Sequence, residues 1–260
     1  VSFDSIEGWA SRDHIEDLIA AQAPYWEPGT KVGYHSFTYG WMVDAIARRA
    51  TGKAVGELLA ERLAGPLGAD VFINYRHDPR RVGTLHAPTV ISETRDLDND
   101  DSGLAGRTFF IGPEGRPMWE VAGTPAYWAL GGPSAGGLAN AGGIAKLYSL
   151  LVSGGVHDGQ KYFSQASIDE HTREQFSGID VTFGFESRPA LGYALSTSDG
   201  VNFGPGRNTV GFSGMGGSVG FADLDAGLAF GYTMNQLRLE SYGNVSTAAA
   251  LVDAVYAAAG

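Results

Sequence analysis

Cysteine is absent from this 260-residue chain, which excludes disulfides, thiolate zinc sites, iron–sulfur clusters and a cysteine nucleophile. A cysteine-free chain suits a reducing compartment, the cytoplasm by preference. Positive charge is scarce: 18 Lys and Arg stand against 29 Asp and Glu, a formal charge of −11. Phosphate backbones and anionic lipid are poor partners for such a surface, so neither nucleic acid nor a membrane is expected. No apolar run approaches the roughly 20 residues that a spanning helix needs. The start, Val1-Ser-Phe-Asp-Ser5, has no initiator Met, no charged n-region and no apolar signal segment, and reads as a cut end. Glycine, by contrast, is abundant: 38 residues, paired at 131–132, 136–137, 142–143, 154–155 and 216–217. That many glycines point to tight turns and close backbone approaches rather than a helical bundle. With 43% hydrophobic and 18% charged residues, the chain can bury a full core and is not a disordered sequence.

Residues 11–22 read as a short helix that Ser11 can cap, with Ile15, Leu18 and Ile19 on one face. A second helix is expected from Ser36, as N-cap, to Thr51, with Gly52 as its left-handed stop. A third runs through Val55, Leu58, Leu59 and Leu63 and ends at Gly65-Pro-Leu-Gly68. Between about 70 and 135 loop signals gather around Phe109, Phe110, Trp119, Tyr127 and Trp128, and long irregular segments commonly wrap a site. A helix over 140–151 follows. Then come short β candidates at Phe183-Gly-Phe, Leu191–Leu195, Val210-Gly-Phe, Ser218–Ala222 and Gly227–Met234, and a final helix over 247–259. The plan is α+β: a mainly helical lobe with active-site loops over 1–180, and antiparallel strands with a closing helix over 181–260.

Gly216-Gly-Ser-Val-Gly220 fits the nucleophile-elbow pattern, which requires a serine between a strand and a helix. Here another β run follows, with Asp225-Ala-Gly as a turn, so Ser218 reads as part of a hairpin. The run Asp96-x-Asp98-x-Asp100 opens like a calcium loop, but Asp101 and Arg107 replace the required Gly and Glu, leaving a solvated acidic loop. The six histidines share no helix face at ligand spacing, and no metal is expected. Tyr34 stands just before a helix start, where oriented N–H groups favour phenolate, and a tyrosine so placed can act as a general base. The glycine-rich run 211–220 exposes backbone N–H groups of the kind an oxyanion hole needs. Each also has a plain alternative, a core tyrosine and a tight β-turn.

Taken together, Trp26-Glu-Pro-Gly-Thr…Tyr34-His-Ser36…Thr51-Gly-Lys…Gly65-Pro-Leu-Gly68, Gly131-Gly132…Ala135-Gly-Gly-Leu138 and Gly211-Phe-Ser-Gly-Met-Gly-Gly-Ser-Val-Gly-Phe-Ala-Asp223…Met-Asn235 resemble the serine β-lactamase-related family. The carboxylesterase branch of that family fits best. The resemblance runs nearly end to end and implies an antiparallel sheet flanked by helices, with a helical lobe, an acyl-enzyme reaction on small esters or amides, and no cofactor. It assigns Tyr34 the transfer of the nucleophile's proton, Met215 an oxyanion N–H, and Ser36, Phe212, Ser213 and Gly214 contacts to substrate.

Two departures qualify the resemblance. Phe212 stands where His or Lys is usual, which suggests an apolar acyl group or an altered reaction. The nucleophile of the family lies in Ser-x-x-Lys, yet Pro28, Ala50, Gly143 and Asp158 precede the lysines 31, 53, 146 and 161 by three. A separate N-terminal polypeptide of the same protein, carrying that motif, is the expected partner. The same site could instead serve a β-lactamase, a D-aminopeptidase or an acyltransferase, and a non-catalytic binding protein is the alternative from another class. The aromatic residues Trp119, Tyr127 and Trp128 are either pocket or core.

Overall fold

A computed structural model describes residues 5–88, 116, 118–198, 200–214, 216–238 and 246–259. The acidic run 96–101, Phe109, Phe110 and Met215 lie outside the described residues. The chain begins with helices α1 (Ile6–Ala10), α2 (Arg12–Ala21) and α3 (Thr38–Thr51). Neither serine expected as an N-cap makes the cap hydrogen bond: Ser11 precedes α2 without one, and the N-cap of α3 is Phe37, already helical in its backbone angles. Gly52 does close α3 in the left-handed conformation, at φ 75°. Helix α4 (Val55–Leu59) runs through a π turn, Ala60–Ala64, into α5 (Gly65–Leu67), and Gly68 at φ 57° ends it. The wide turn carries the chain past Pro66. Gly65 is needed in it, because a Cβ there would come 2.6 Å from the Ala60 carbonyl oxygen.

Strand β1 (Val71–Ile73) pairs antiparallel with β2 (Gly137–Ala139), and α6 (Met118–Ala122) and α7 (Pro125–Leu130) lie between them in sequence. Helix α8 (Ala141–Val152) follows, capped by Asn140, whose side chain accepts from the Gly143 N–H at 2.7 Å. Two small hairpins, β3 (Val156–His157) with β4 (Gln160–Lys161) and β5 (Gly178–Ile179) with β6 (Glu186–Ser187), flank α9 (Gln165–Thr172). The principal sheet is antiparallel, in the order β10-β9-β8-β7, from β7 (Ala194–Leu195), β8 (Thr209–Ser213), β9 (Val219–Asp223) and β10 (Leu228–Tyr232). The final helix is α10 (Ser246–Ala259).

Alternation along β9 decides what covers each face of the sheet. Ala222, with Val210 of β8, packs on Leu151 of α8 and Ile168 of α9. Val219 and Phe221 point the other way, onto Ala248 and Val252 of α10 and onto Phe203. All five residues of β9 are buried, so it is the central strand of an α+β sandwich. Helix α8 lies directly on a flat spot made by a cross-strand glycine pair, Gly220 and Gly231. A Cβ at Gly231 would meet the Ala141 carbonyl oxygen at 2.4 Å, and one at Gly220 would meet the Tyr148 ring at the same distance.

A second core, formed by Trp9, Tyr75, Val121, Tyr127 and Trp128, holds the helical side together. Asp44, almost fully buried, joins α2, α3 and α4 by accepting from the Val55 N–H at 2.8 Å and pairing with Arg12 and Arg48 at 3.5 and 3.3 Å. Two expected strands take another form. Phe183-Gly-Phe is a turn, and of Leu191–Leu195 only the last two residues are extended in the sheet. Among the described residues no helix is long and apolar enough to cross a membrane.

Candidate active site

Two segments far apart in sequence meet at Tyr34. The first is the stretch before α3. Trp26 folds over it, its indole N–H donating to the Lys31 carbonyl at 3.3 Å and its ring lying on Gly33, where a Cβ would come within 2.6 Å. Residues 32–34 run beside the turn at 180–185: the Val181 N–H donates to the Val32 carbonyl at 2.9 Å, and the Thr182 hydroxyl to the Tyr34 carbonyl at 3.3 Å. The second segment is the end of β8. The Phe212 ring stacks on the Tyr34 ring with centroids 6.2 Å apart and planes 21° from parallel, and Phe183 touches the same tyrosine at 4.9 Å. Phe212 is 41% exposed, which is unusual for a phenylalanine at the end of a buried strand and leaves an aromatic surface open beside the phenol.

Beyond Phe212 the chain turns sharply back into β9. Ser213 pairs with Val219, the Gly214 N–H donates to the Ser218 carbonyl at 2.8 Å, and the Gly217 N–H to the Gly214 carbonyl at 2.9 Å. Side chains have no room at two glycines of this turn. A Cβ on Gly214 would lie 2.5 Å from the Ser218 hydroxyl, and one on Gly216 would lie 2.3 Å from Leu237. Ser218 therefore ends a strand–turn–strand hairpin, so the context that an elbow requires is absent. Tyr148 supports the same strand from α8: its hydroxyl is hydrogen-bonded to the Phe212 backbone, and burial raises its pKa, Tyr193 adding to the rise.

The structure thus brings Tyr34 to Phe212, with Ser213 ending β8 and Gly214 just after it. Ser36 is half-buried at the bend before α3. Tyr127 and Trp128 belong to the helical-side core, and Trp128 also faces a cleft of about 760 Å³. That cleft runs between Leu85, Ala122 and Leu138 on one side and Tyr232, Met234 and Arg238 on the other. It adjoins the β8–β9 turn, since the Arg238 N–H donates to the Gly216 carbonyl at 3.2 Å. Sequence reasoning missed Thr182, Phe183, which it placed in a strand, and Tyr148, which lies in the expected helix over 140–151. The signal for the first two was Asp180 followed by Gly184: an Asx turn and a left-handed glycine mark a turn, not a strand.

A family profile described as Beta-lactamase matches residues 2–254 of the chain. "Esterase/beta-lactamase LipL" of Mycobacterium tuberculosis is 30% identical over 242 residues, which cover 86% of this chain and 53% of that protein. Among solved structures, a penicillin-binding protein homolog from Caulobacter crescentus superposes with a TM-score of 0.84 at 30% identity, covering 96% of this chain and 64% of that one. A family VIII carboxylesterase superposes at 0.83 with 32% identity, covering 98% and 66%. The chain therefore spans about half the length of the curated relative and somewhat under two thirds of these solved structures. The shared fold is the α+β serine β-lactamase-like one.

Proposed function

The chain belongs to the β-lactamase family, and from that premise we propose that it supplies the tyrosine base and the oxyanion strand of a carboxylesterase-like serine hydrolase. The observation that carries this reading is the contact between Tyr34 and the end of β8. It sets a phenol beside the strand after which Gly214 and Gly217 turn the chain back under short backbone hydrogen bonds. In the proposed reaction a serine in Ser-x-x-Lys attacks the acyl carbonyl, and its proton passes to Tyr34 with help from the neighbouring lysine. The Met215 N–H and the serine's own N–H hold the tetrahedral oxyanion. Tyr34 then protonates the departing alcohol; a water that loses its proton to Tyr34 attacks the acyl-enzyme, and Tyr34 returns that proton to the serine oxygen as the acid leaves.

The serine comes from a separate N-terminal polypeptide of the same protein. Two features support such a partner. Strand β10 has β9 on one side and, among the described residues, no strand on the other, so its outer N–H and C=O groups stand ready to pair. The cleft beside the β8–β9 turn is large enough for a chain segment. Phe212 favours a neutral, apolar acyl group, because it puts a ring where the family carries a cation. Ser36, Ser213 and Gly214 line the substrate's path.

The test is hydrolysis of short p-nitrophenyl esters and of nitrocefin by the complete protein and by its Y34F variant. The ring of Y34F keeps its packing on Phe183 and Phe212, so the fold should survive. Losing a general base should lower ester turnover by about 10²–10⁴-fold. Full activity in Y34F removes Tyr34 from the mechanism. Nitrocefin turnover exceeding ester turnover makes the protein a β-lactamase instead, and no turnover of either favours a binding protein.

A further inference from the structure

The turn Asp180–Phe185 is built more firmly than a surface connection needs to be. Asp180 is buried, and its carboxylate accepts from the N–H groups of Thr182 at 2.8 Å and Phe183 at 3.1 Å. Its own N–H donates to the Phe185 carbonyl at 3.0 Å, and its carbonyl accepts from the Gly184 N–H at 2.7 Å. Gly184 takes φ 72°, which closes the turn. The Phe183 and Phe185 rings stack at 4.7 Å, with planes 11° apart.

Three consecutive residues of this turn hold the Tyr34 segment. Val181 holds the Val32 carbonyl, the Thr182 hydroxyl holds the Tyr34 carbonyl, and the Phe183 ring lies on the Tyr34 ring. Trp26 presses from another direction, over Gly33, so that a Cβ there would also come 3.1 Å from the Thr182 hydroxyl. Tyr34 is thus fixed by both its backbone and its ring, from an element nearly 150 positions away in the sequence by the 148-residue separation of the Thr182–Tyr34 hydrogen bond.

We infer that the Asp180–Phe185 turn positions the catalytic tyrosine, with Thr182 and Phe183 as positioning residues that set where the Tyr34 hydroxyl stands relative to the β8 end. This rests on the proposed role of Tyr34 as the base. A general base must stand within hydrogen-bond reach of the proton it takes. Small displacements at such a group cost rate rather than binding.

The experiment uses the complete protein with T182V, T182S, F183A and Y34F variants, assayed on p-nitrophenyl esters. T182V and F183A should lower kcat by about tenfold to a hundredfold with KM unchanged, since a misplacement of about 1 Å has that effect. T182S, which keeps the hydroxyl, should retain the wild-type kcat. A second readout does not depend on activity: 3-fluorotyrosine placed at position 34 reports its surroundings by 19F NMR. Its resonance should shift in T182V and F183A and stay in place in T182S. Wild-type kcat in T182V and F183A alongside an inactive Y34F overturns the positioning role. An active Y34F overturns the role of Tyr34 itself, and an unmoved 19F resonance in T182V and F183A refutes the clamp in either case.

Discussion

The seat of α8 on the sheet gives a sharp expectation for Gly231→Ala. The new Cβ would stand 2.4 Å from the Ala141 carbonyl oxygen, 2.8 Å from the Ala145 nitrogen and 3.0 Å from the Ile144 Cβ. Two of these are backbone atoms, so no rotamer change relieves the contact. The helix must instead retreat from β10 by roughly an ångström, and a gap of that size forfeits about a quarter to a half of each dispersion contact it opens. Overpacking of this kind costs about 1–3 kcal/mol, and an unyielding backbone neighbour places G231A at the upper end. For a chain of this size each kcal/mol is worth about 2–4 °C in Tm, so the expected loss is roughly 6–12 °C. Gly142 on the same helix supplies the control. It is exposed, and its Cβ would meet only the Asn140 side chain, at 3.7 Å. G142A should leave Tm unchanged or raise it, since alanine is the better helix former by up to about 1 kcal/mol. Thermal unfolding of the complete protein decides the matter. A G231A variant melting within a degree or so of wild type would show that the glycine pair does not set the seat of α8.

Other predictions concern charge. Burial alone would raise the pKa of Asp223, but N–H groups of Ala226 and Asp225 and hydroxyls of Tyr256 and Thr209 outweigh it and hold the carboxyl below its usual 3.8. Its contribution to stability is therefore complete above pH 3.8 and drains away as pH falls through the lower native value. D223N should be less stable at neutral pH and should flatten that part of the acid limb, as seen in Tm against pH; an unchanged limb would refute the assignment. Replacing Asp44 by alanine leaves Arg12, Arg48 and the Val55 N–H without their shared carboxylate. A loss of about 3–5 kcal/mol is expected, read as a fall in Tm. F212K puts an ammonium beside Tyr34 and should shift preference from neutral esters toward carboxylate-bearing ones. An unaltered ratio of kcat/KM values would separate Phe212 from substrate choice.

Periodic stretches were legible where one apolar face met a core. Ile15 in α2, Leu151 in α8 and strands β8 and β9 all lie in the stretches that the sequence marks for them. Caps were less legible, because a serine ahead of a helix does not reveal whether its hydroxyl reaches the N–H groups. Asn140, Thr124 and Ser164 make that bond, whereas Ser11 does not. The π turn before Pro66 carries no pattern of its own beyond a glycine at its end. At the site, the Tyr34 and β8 segments were visible as motifs. The turn that holds Tyr34 was not, since Phe183-Gly-Phe alternates like a strand until the Asp180 hydrogen bonds are known. Tyr127 shows the limit of composition: an aromatic among loop signals is in fact 3% exposed core.

Fluorophosphonate labelling of the complete protein, followed by intact mass and peptide mapping, tests the serine hydrolase reading most directly. The expected result is a single adduct on the serine of a Ser-x-x-Lys motif outside these 260 residues, formed much more slowly in Y34F. No adduct, or an adduct on Ser218, would contradict it.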